Sequence, residues 1–348
     1  VSTRSHALLV ALGVGMLPVP PAQSAQEILL FPAVTALRQT DANASANEDR
    51  ELEPVLDLFY SLDGERWRLL TEVFLSEDEQ EIERLQLGWR TRPGDTLWFG
   101  KFHTPASYWA SQYHHGAYVQ PSVTRPGIHE FEDDGGPLTT HLAGLLYDGA
   151  SRRSAGELRY ALALGAGFDA QLEPVDVLSP GEGHHGLNAA ARVGFAPGEL
   201  GTTEFGVYAA YGRTPGDGVA FDENTQTLAG AYATTTRGSL HVTAELLFIH
   251  DHFALAGSVA HGSFVNGYAE VDYNPHEKWL LFTRLEDSRG EDDDPYLAHF
   301  PAFVQRQAIA GARYDVTRRQ ALKLELGRAT RRDDRLDRVF VQWSAVFP

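Results

Sequence analysis

The 348-residue chain has no cysteine and a single methionine. No disulfide can staple it, which suits a protein that crosses an oxidising compartment without stray cross-links. Positive charge is scarce: 29 Lys and Arg stand against 47 Asp and Glu, a formal net charge of −18 with a pI near 5.1. Nucleic acid, whose phosphates call for clustered cations, is a poor partner for such a chain. Long apolar runs are missing as well. Hydrophobic residues make up 43% of the chain and mean hydropathy is −0.27, yet past the N-terminus nothing approaches the roughly 18 apolar residues of a spanning helix. Neither G-x-S-x-G nor H-E-x-x-H occurs, which removes the commonest signs of a serine hydrolase or a zinc protease and argues against an enzyme.

The N-terminal stretch VSTRSHALLVALGVGMLPVPPAQSAQ reads as a secretory signal. Arg4 precedes an apolar core from Ala7 to Leu17, Pro18, Pro20 and Pro21 break the helix, and Ala22 and Ser24 fit a small-x-small cleavage rule. The expected division is a signal peptide over 1–24 and one domain over 25–348.

What the mature chain does have is apolar/polar alternation at period two, in segments long enough for a tilted strand to cross a bilayer. The segments are 27–39, 52–61, 65–75, 82–91, 96–102, 139–147, 157–164, 187–195, 202–211, 226–236, 239–249, 264–273, 279–287, 304–317, 321–330 and 338–347. Short turns, such as those at Asp63 and Gly64 or Arg237 and Gly238, alternate with longer loops. In 65–75, Trp67, Leu69, Thr71, Val73 and Leu75 oppose Arg66, Arg68, Leu70 and Glu72. In 239–249, Leu240, Val242, Ala244, Leu246 and Phe248 oppose His241, Thr243 and Glu245. Apolar-out and polar-in, with Trp67, Trp89, Tyr273, Trp279 and Trp343 near strand ends, predicts an all-β fold: a transmembrane antiparallel β-barrel of about 16 strands. A soluble sandwich would alternate too, but without so charged a polar face.

One stretch, 103–137, has no period of its own and is long for a loop in a compact domain, which marks it as functional. Tyr108, Trp109, Tyr113, Tyr118 and Phe131 give it apolar mass, so it is expected to fold against the barrel. Its histidines, His103, His114, His115 and His129, and its carboxylates, Glu130, Glu132, Asp133 and Asp134, form the densest set of potential metal ligands in the chain. Their spacing matches no closed-site motif, so polar packing is the reading adopted, with no metal and no cofactor. His184, His185, His250 and His252 read as solvated rim histidines.

The last segment is apolar at every second residue counted back from Phe347, through Ala345, Trp343, Val341 and Val339. It resembles the C-terminal signature of bacterial outer-membrane proteins, with Pro348 as a departure. The long loop falls third on the long-loop rim, and this plan resembles general Gram-negative porins, in which that loop folds inward and narrows the pore. The stretches GKFHTPASYW, HHGA and RPGIHEFEDDGG also look like an uncharacterised group of porin-like outer-membrane proteins. The resemblance implies an outer-membrane location, a possible homotrimer, and a constriction in which Glu130, Glu132, Asp133 and Asp134 face Arg66, Arg68, Arg84 and Arg90 across a transverse field. The same carboxylates could instead cap a turn and glue the loop to those arginines. The function expected is passive diffusion of small hydrophilic solutes, with weak cation preference from the acidic rim. A plugged barrel acting as a scaffold or adhesin is the alternative, and a barrel enzyme comes third.

Overall fold

The computed structural model describes residues 25–41, 48–77, 79–113, 116–130, 136–181, 183–198, 202–217 and 221–348. The expected signal segment 1–24 lies outside them. Sixteen strands form: β1 (Ala25–Asp41), β2 (Glu48–Asp63), β3 (Trp67–Leu75), β4 (Gln80–Arg92), β5 (Asp95–His103), β6 (His141–Arg153), β7 (Gly156–Ala166), β8 (Leu187–Pro197), β9 (Thr203–Pro215), β10 (Glu223–Arg237), β11 (Leu240–Leu255), β12 (Ser258–His276), β13 (Trp279–Arg289), β14 (Arg306–Thr317), β15 (Gln320–Thr330) and β16 (Arg335–Ala345).

Each strand pairs antiparallel with its sequence neighbours, and β1 pairs with β16, so the sheet closes on itself. Closure leaves the sheet no open edge, so its strands pair internally on both sides, which a hydrocarbon surrounding requires. Beyond the last ladder, the backbones of Leu30 and Phe347 exchange hydrogen bonds of 2.8 and 2.9 Å, seating the C-terminal phenylalanine on β1.

The two faces have the polarity that the alternation predicts. Outside, Phe99, Leu162, Val207, Leu285 and Val341 are 50–66% exposed; inside, Glu72, Asn266 and Glu325 are fully buried. Bare apolar side chains outside and buried charge inside invert the plan of a water-soluble domain and make an apolar outer wall. On the short-turn rim Trp67 packs edge-on against Trp89 at 4.3 Å and Trp279 lies 4.9 Å from Tyr314, an aromatic girdle. No helix among the described residues is long and apolar enough to cross a membrane.

One expectation is corrected. Residues 250–263, read as a histidine-containing loop, continue β11 and β12 as a hairpin, with His252 opposite His261. The hairpin turns at Ala256 and Gly257, with φ of 50° and 76°, the double positive φ that matches the twist of the flanking strands.

Candidate functional site

The segment 104–140 leaves β5 and re-enters at β6, and its described residues pack against the barrel's inner wall. Gly100 prepares the departure: its φ is +129°, and a Cβ there would sit 1.9 Å from the Leu85 carbonyl, so the close strand approach requires glycine. The neck is closed by a 2.7 Å hydrogen bond from Thr104 N to Thr140 O. Between lie two short helices, α1 (Tyr108–Tyr113) and α2 (Gly116–Val119), and a 3-10 turn at Gly127–His129.

A loop taken out of water must find partners for its irregular backbone, and here the wall from β11 to β16 supplies charged ones. Glu245 on β11 accepts from the N–H groups of Tyr108 (2.7 Å) and Trp109 (3.3 Å), and from the hydroxyls of Tyr208 and Tyr268. Glu286 on β13 accepts from Gly127 N at 2.7 Å and Ile128 N at 3.3 Å. Glu325 on β15 accepts from Val123 N, Thr124 N and Thr124 Oγ1, the last at 2.6 Å.

Cations on the same wall take the loop's carbonyls. Arg284 donates to Thr124 O and Arg125 O at 3.0 and 2.6 Å while also holding Glu270 at 2.9 Å. Lys323 donates to Ala117 O and Ser122 O, and Arg313 to Tyr118 O. Bonds to charged partners are roughly twice as strong as neutral ones. Apolar contacts add to them: Tyr108 stacks on Tyr232 at 4.6 Å, and Phe102, Trp109 and Ile128 are buried. The loop is therefore fastened to one wall of the lumen along most of its described length.

Ser107 Oγ lies 2.9 Å from His129 Nε2 and also accepts from Ala110 N. Burial pushes His129 down to about 4, so its imidazole is neutral at ordinary pH. Glu245 sits on the serine side of the pair, 3.4 Å from Ser107 Oγ, rather than behind the imidazole. With the serine acting as a helix cap and the histidine stacked on Trp109 at 5.8 Å, the pair is a docking contact.

The other expected site residues are spread around the lumen. Glu130 meets Arg338 of β16 at 2.9 Å. Arg84 pairs with Glu72 at 2.5 Å; Arg68 and Arg90 share Asp63 at 3.1 and 2.5 Å; Arg66 stands over the Trp89 ring at 5.9 Å on the short-turn rim. Glu132, Asp133, Asp134, His114 and His115 lie outside the described residues. His103 is not beside His129; its ring packs edge-on to His141 at 4.9 Å, with Nε2 4.0 Å from Glu83 Oε2. Alternation in the sequence places Glu245 on the inner face, but it does not single out Glu325, Ser107 or His141. The inward parity of Glu245, Glu286 and Glu325 on alternate strands is the signal that could have marked a docking wall.

Beside the docked loop, a cleft of about 660 Å³, counting the part open to solvent, separates its stem at Thr104, Ser107 and Pro137 from Asn188, Gly212 and Asn224 of β8–β10.

Comparison with protein-family models and with curated proteins returns no match. Solved structures do match. An anion-selective porin from Comamonas acidovorans aligns with TM-score 0.66 at 10% identity, over 93% of this chain and 100% of that one. The outer membrane channel DcaP of Acinetobacter baumannii aligns with TM-score 0.57 at 11% identity, over 94% and 99%. The trimer form of OmpT, an outer membrane protein of Vibrio cholerae, gives TM-score 0.56 at 11% identity, over 93% and 100%. The fold is that of a porin-type outer-membrane β-barrel.

Proposed function

We propose that the protein is a passive channel for small hydrophilic solutes in the outer membrane of a Gram-negative bacterium, its lumen narrowed by the segment 104–140. The supporting observation is the fastening of that loop to one wall by Glu245, Glu286 and Glu325, with Arg68, Arg90 and Arg159 left partly open to water. In this reading the loop carboxylates Glu130, Glu132, Asp133 and Asp134 form one side of the constriction. Arg66, Arg68, Arg84 and Arg90 stand on the other side of the lumen. Weak cation preference is assigned to the acidic rim, where Asp292 and Asp293 are exposed.

Residues 1–24 act as the export signal, and no catalysis is assigned. Three copies form the working unit, as the trimeric neighbour suggests. Single-channel conductance of the refolded mature chain in planar bilayers tests the reading, with a salt gradient to read selectivity. Discrete open steps are expected, and neutralising the four loop carboxylates together should move the reversal potential.

A plugged barrel serving as a scaffold or adhesin is the second reading. It is favoured by the segment 290–305, whose Tyr296, Leu297, Phe300 and Phe303 are also buried among Phe221, Phe253 and Phe264. A folded but electrically silent barrel would select it.

A further inference from the structure

The loop's neck holds a second cluster of titratable side chains. His103 is the last residue of β5, His141 is the first of β6, and the two are direct cross-strand partners. Glu83 on β4 completes a trio in which one ligand atom from each lies within 4.8 Å of the others. Glu83 belongs to a second trio as well, with Asp57 and Glu72. All five side chains are buried or nearly so; His103 is the most open, at 9%. The loop reaches the site through Thr140, whose hydroxyl lies 3.4 Å from His141 Nδ1.

Three carboxylates this close in a buried place repel one another unless cations or protons offset them. Arg84 answers Glu72 at 2.5 Å, the charge of the loop's Arg125 acts on Asp57, and Lys101 is engaged by Glu81. Two imidazoles beside the Glu83 carboxylate are the donor chemistry of a borderline divalent cation of the zinc type, which takes nitrogen and carboxylate oxygen together. Calcium and magnesium, which prefer oxygen alone, fit the histidines poorly. Tetrahedral ligand atoms around zinc stand about 3.4 Å apart, so the donors must draw in by rotation of two histidine rings and one flexible carboxylate.

The geometry points to a divalent transition-metal site formed by Glu83, His103 and His141, with Asp57 and Glu72 supplying the surrounding negative charge. Because His103 and His141 stand at the two ends of the segment 104–140, a bound ion staples the loop's neck to β4. The site restrains the loop where the docking carboxylates do not reach. This inference does not depend on whether the lumen conducts.

Equilibrium dialysis of the refolded, detergent-solubilised full barrel against micromolar zinc, with elemental analysis, reads the stoichiometry. One tightly held ion per chain is expected. It should be lost in His103→Ala/His141→Ala, with affinity falling roughly a hundredfold or more, since changes even outside the ligand shell cost tenfold to a hundredfold. Glu83→Gln keeps the shape of the carboxylate and should weaken binding with the barrel intact, as judged by heat-dependent electrophoretic mobility. The rim variant His250→Ala/His252→Ala/His261→Ala should keep the ion. Equal zinc retention by wild type, the double variant and Glu83→Gln would overturn the assignment. So would a folded wild-type barrel that retains no zinc.

Discussion

The barrel's inner wall is two different surfaces. From β11 to β16 its charged side chains are directed at the loop's backbone: Arg284 is 1% exposed and Glu325 0%, and their partners are N–H and C=O groups more than 150 residues away. Near the short turns of β2 to β9 charges answer one another, Arg68 and Arg90 with Asp63, and Arg159 with Glu157 and Glu204, while Arg192 of β8 reaches Ser107 O of the loop at 3.4 Å. Arg68, Arg90, Arg159 and Asp63 are 35–41% exposed. A charge on the inner face of a barrel therefore need not line a pore. Those of β11 to β16 act as a socket, whereas Arg68, Arg90 and Arg159 near the short turns meet the solution.

The sharpest way to break this contrast is to empty the socket. Glu245→Ala/Glu286→Ala/Glu325→Ala removes acceptors from six loop N–H groups, and charge-assisted bonds contribute about 1.5–3 kcal/mol each. The loop should become cleavable by protease in the folded barrel, and conductance should rise severalfold; an uncut loop would refute the socket.

Next comes Arg284→Met, which strands buried Glu270. Loss of one partner of a buried pair costs about 3–5 kcal/mol, and the temperature at which the barrel loses its folded electrophoretic mobility should drop. A change of the same kind on the open wall, Arg68→Gln, should leave that temperature nearly unmoved, because exposed pairs contribute about 0–1 kcal/mol.

Acid is the third probe. Docking holds His129 neutral, so the docked loop binds that proton less readily than the free loop does. Its stability is full above the ordinary imidazole value of 6.5 and falls as pH drops from there towards about 4, by about 1.4 kcal/mol per pH unit. Hydrogen exchange of the loop amides at pH 7 and pH 4.5 should show the loosening, and His129→Gln should flatten that difference. The smallest effect is expected from Arg68→Gln/Arg90→Gln on the open wall: a modest shift of the reversal potential towards cations with the fold unchanged. No shift would mean that this half does not meet the permeating ions.

Within the bilayer the strands were legible because one face meets hydrocarbon and the other does not, so side-chain parity carries the signal. Trp67 and Glu72, or Leu246 and Glu245, stand where alternation puts them. Past the bilayer the outward residues are polar, His250 and His252, while Asp251 and Phe253 stay buried inside, so the apolar-out signal lapses and 250–252 read as loop although they are strand. Parity also says nothing about where around the barrel a face points. Glu130 meets Arg338, 208 residues away, because β16 closes on β1 and brings the end of the chain round to the loop. His103 was legible as a ligand type, but its companions were not: His141 and Glu83 become neighbours only through the registers of β4, β5 and β6. The helices α1 and α2 span six and four residues, too short for a helical period to show.

The seam between β1 and β16 has a consequence for how the molecule comes into being. The loop follows the fifth strand, yet the carboxylates that receive its backbone belong to the eleventh, thirteenth and fifteenth, so an early fragment of the chain lacks most of what settles its own loop. Contacts across 136 to 208 residues require large closures before they return any free energy, and such topologies form slowly. Until the last strand arrives, the half-built sheet presents two open edges and an unseated aromatic loop. Assembly is thus exposed to aggregation for most of its course, and seating the loop and sealing the wall become one late event.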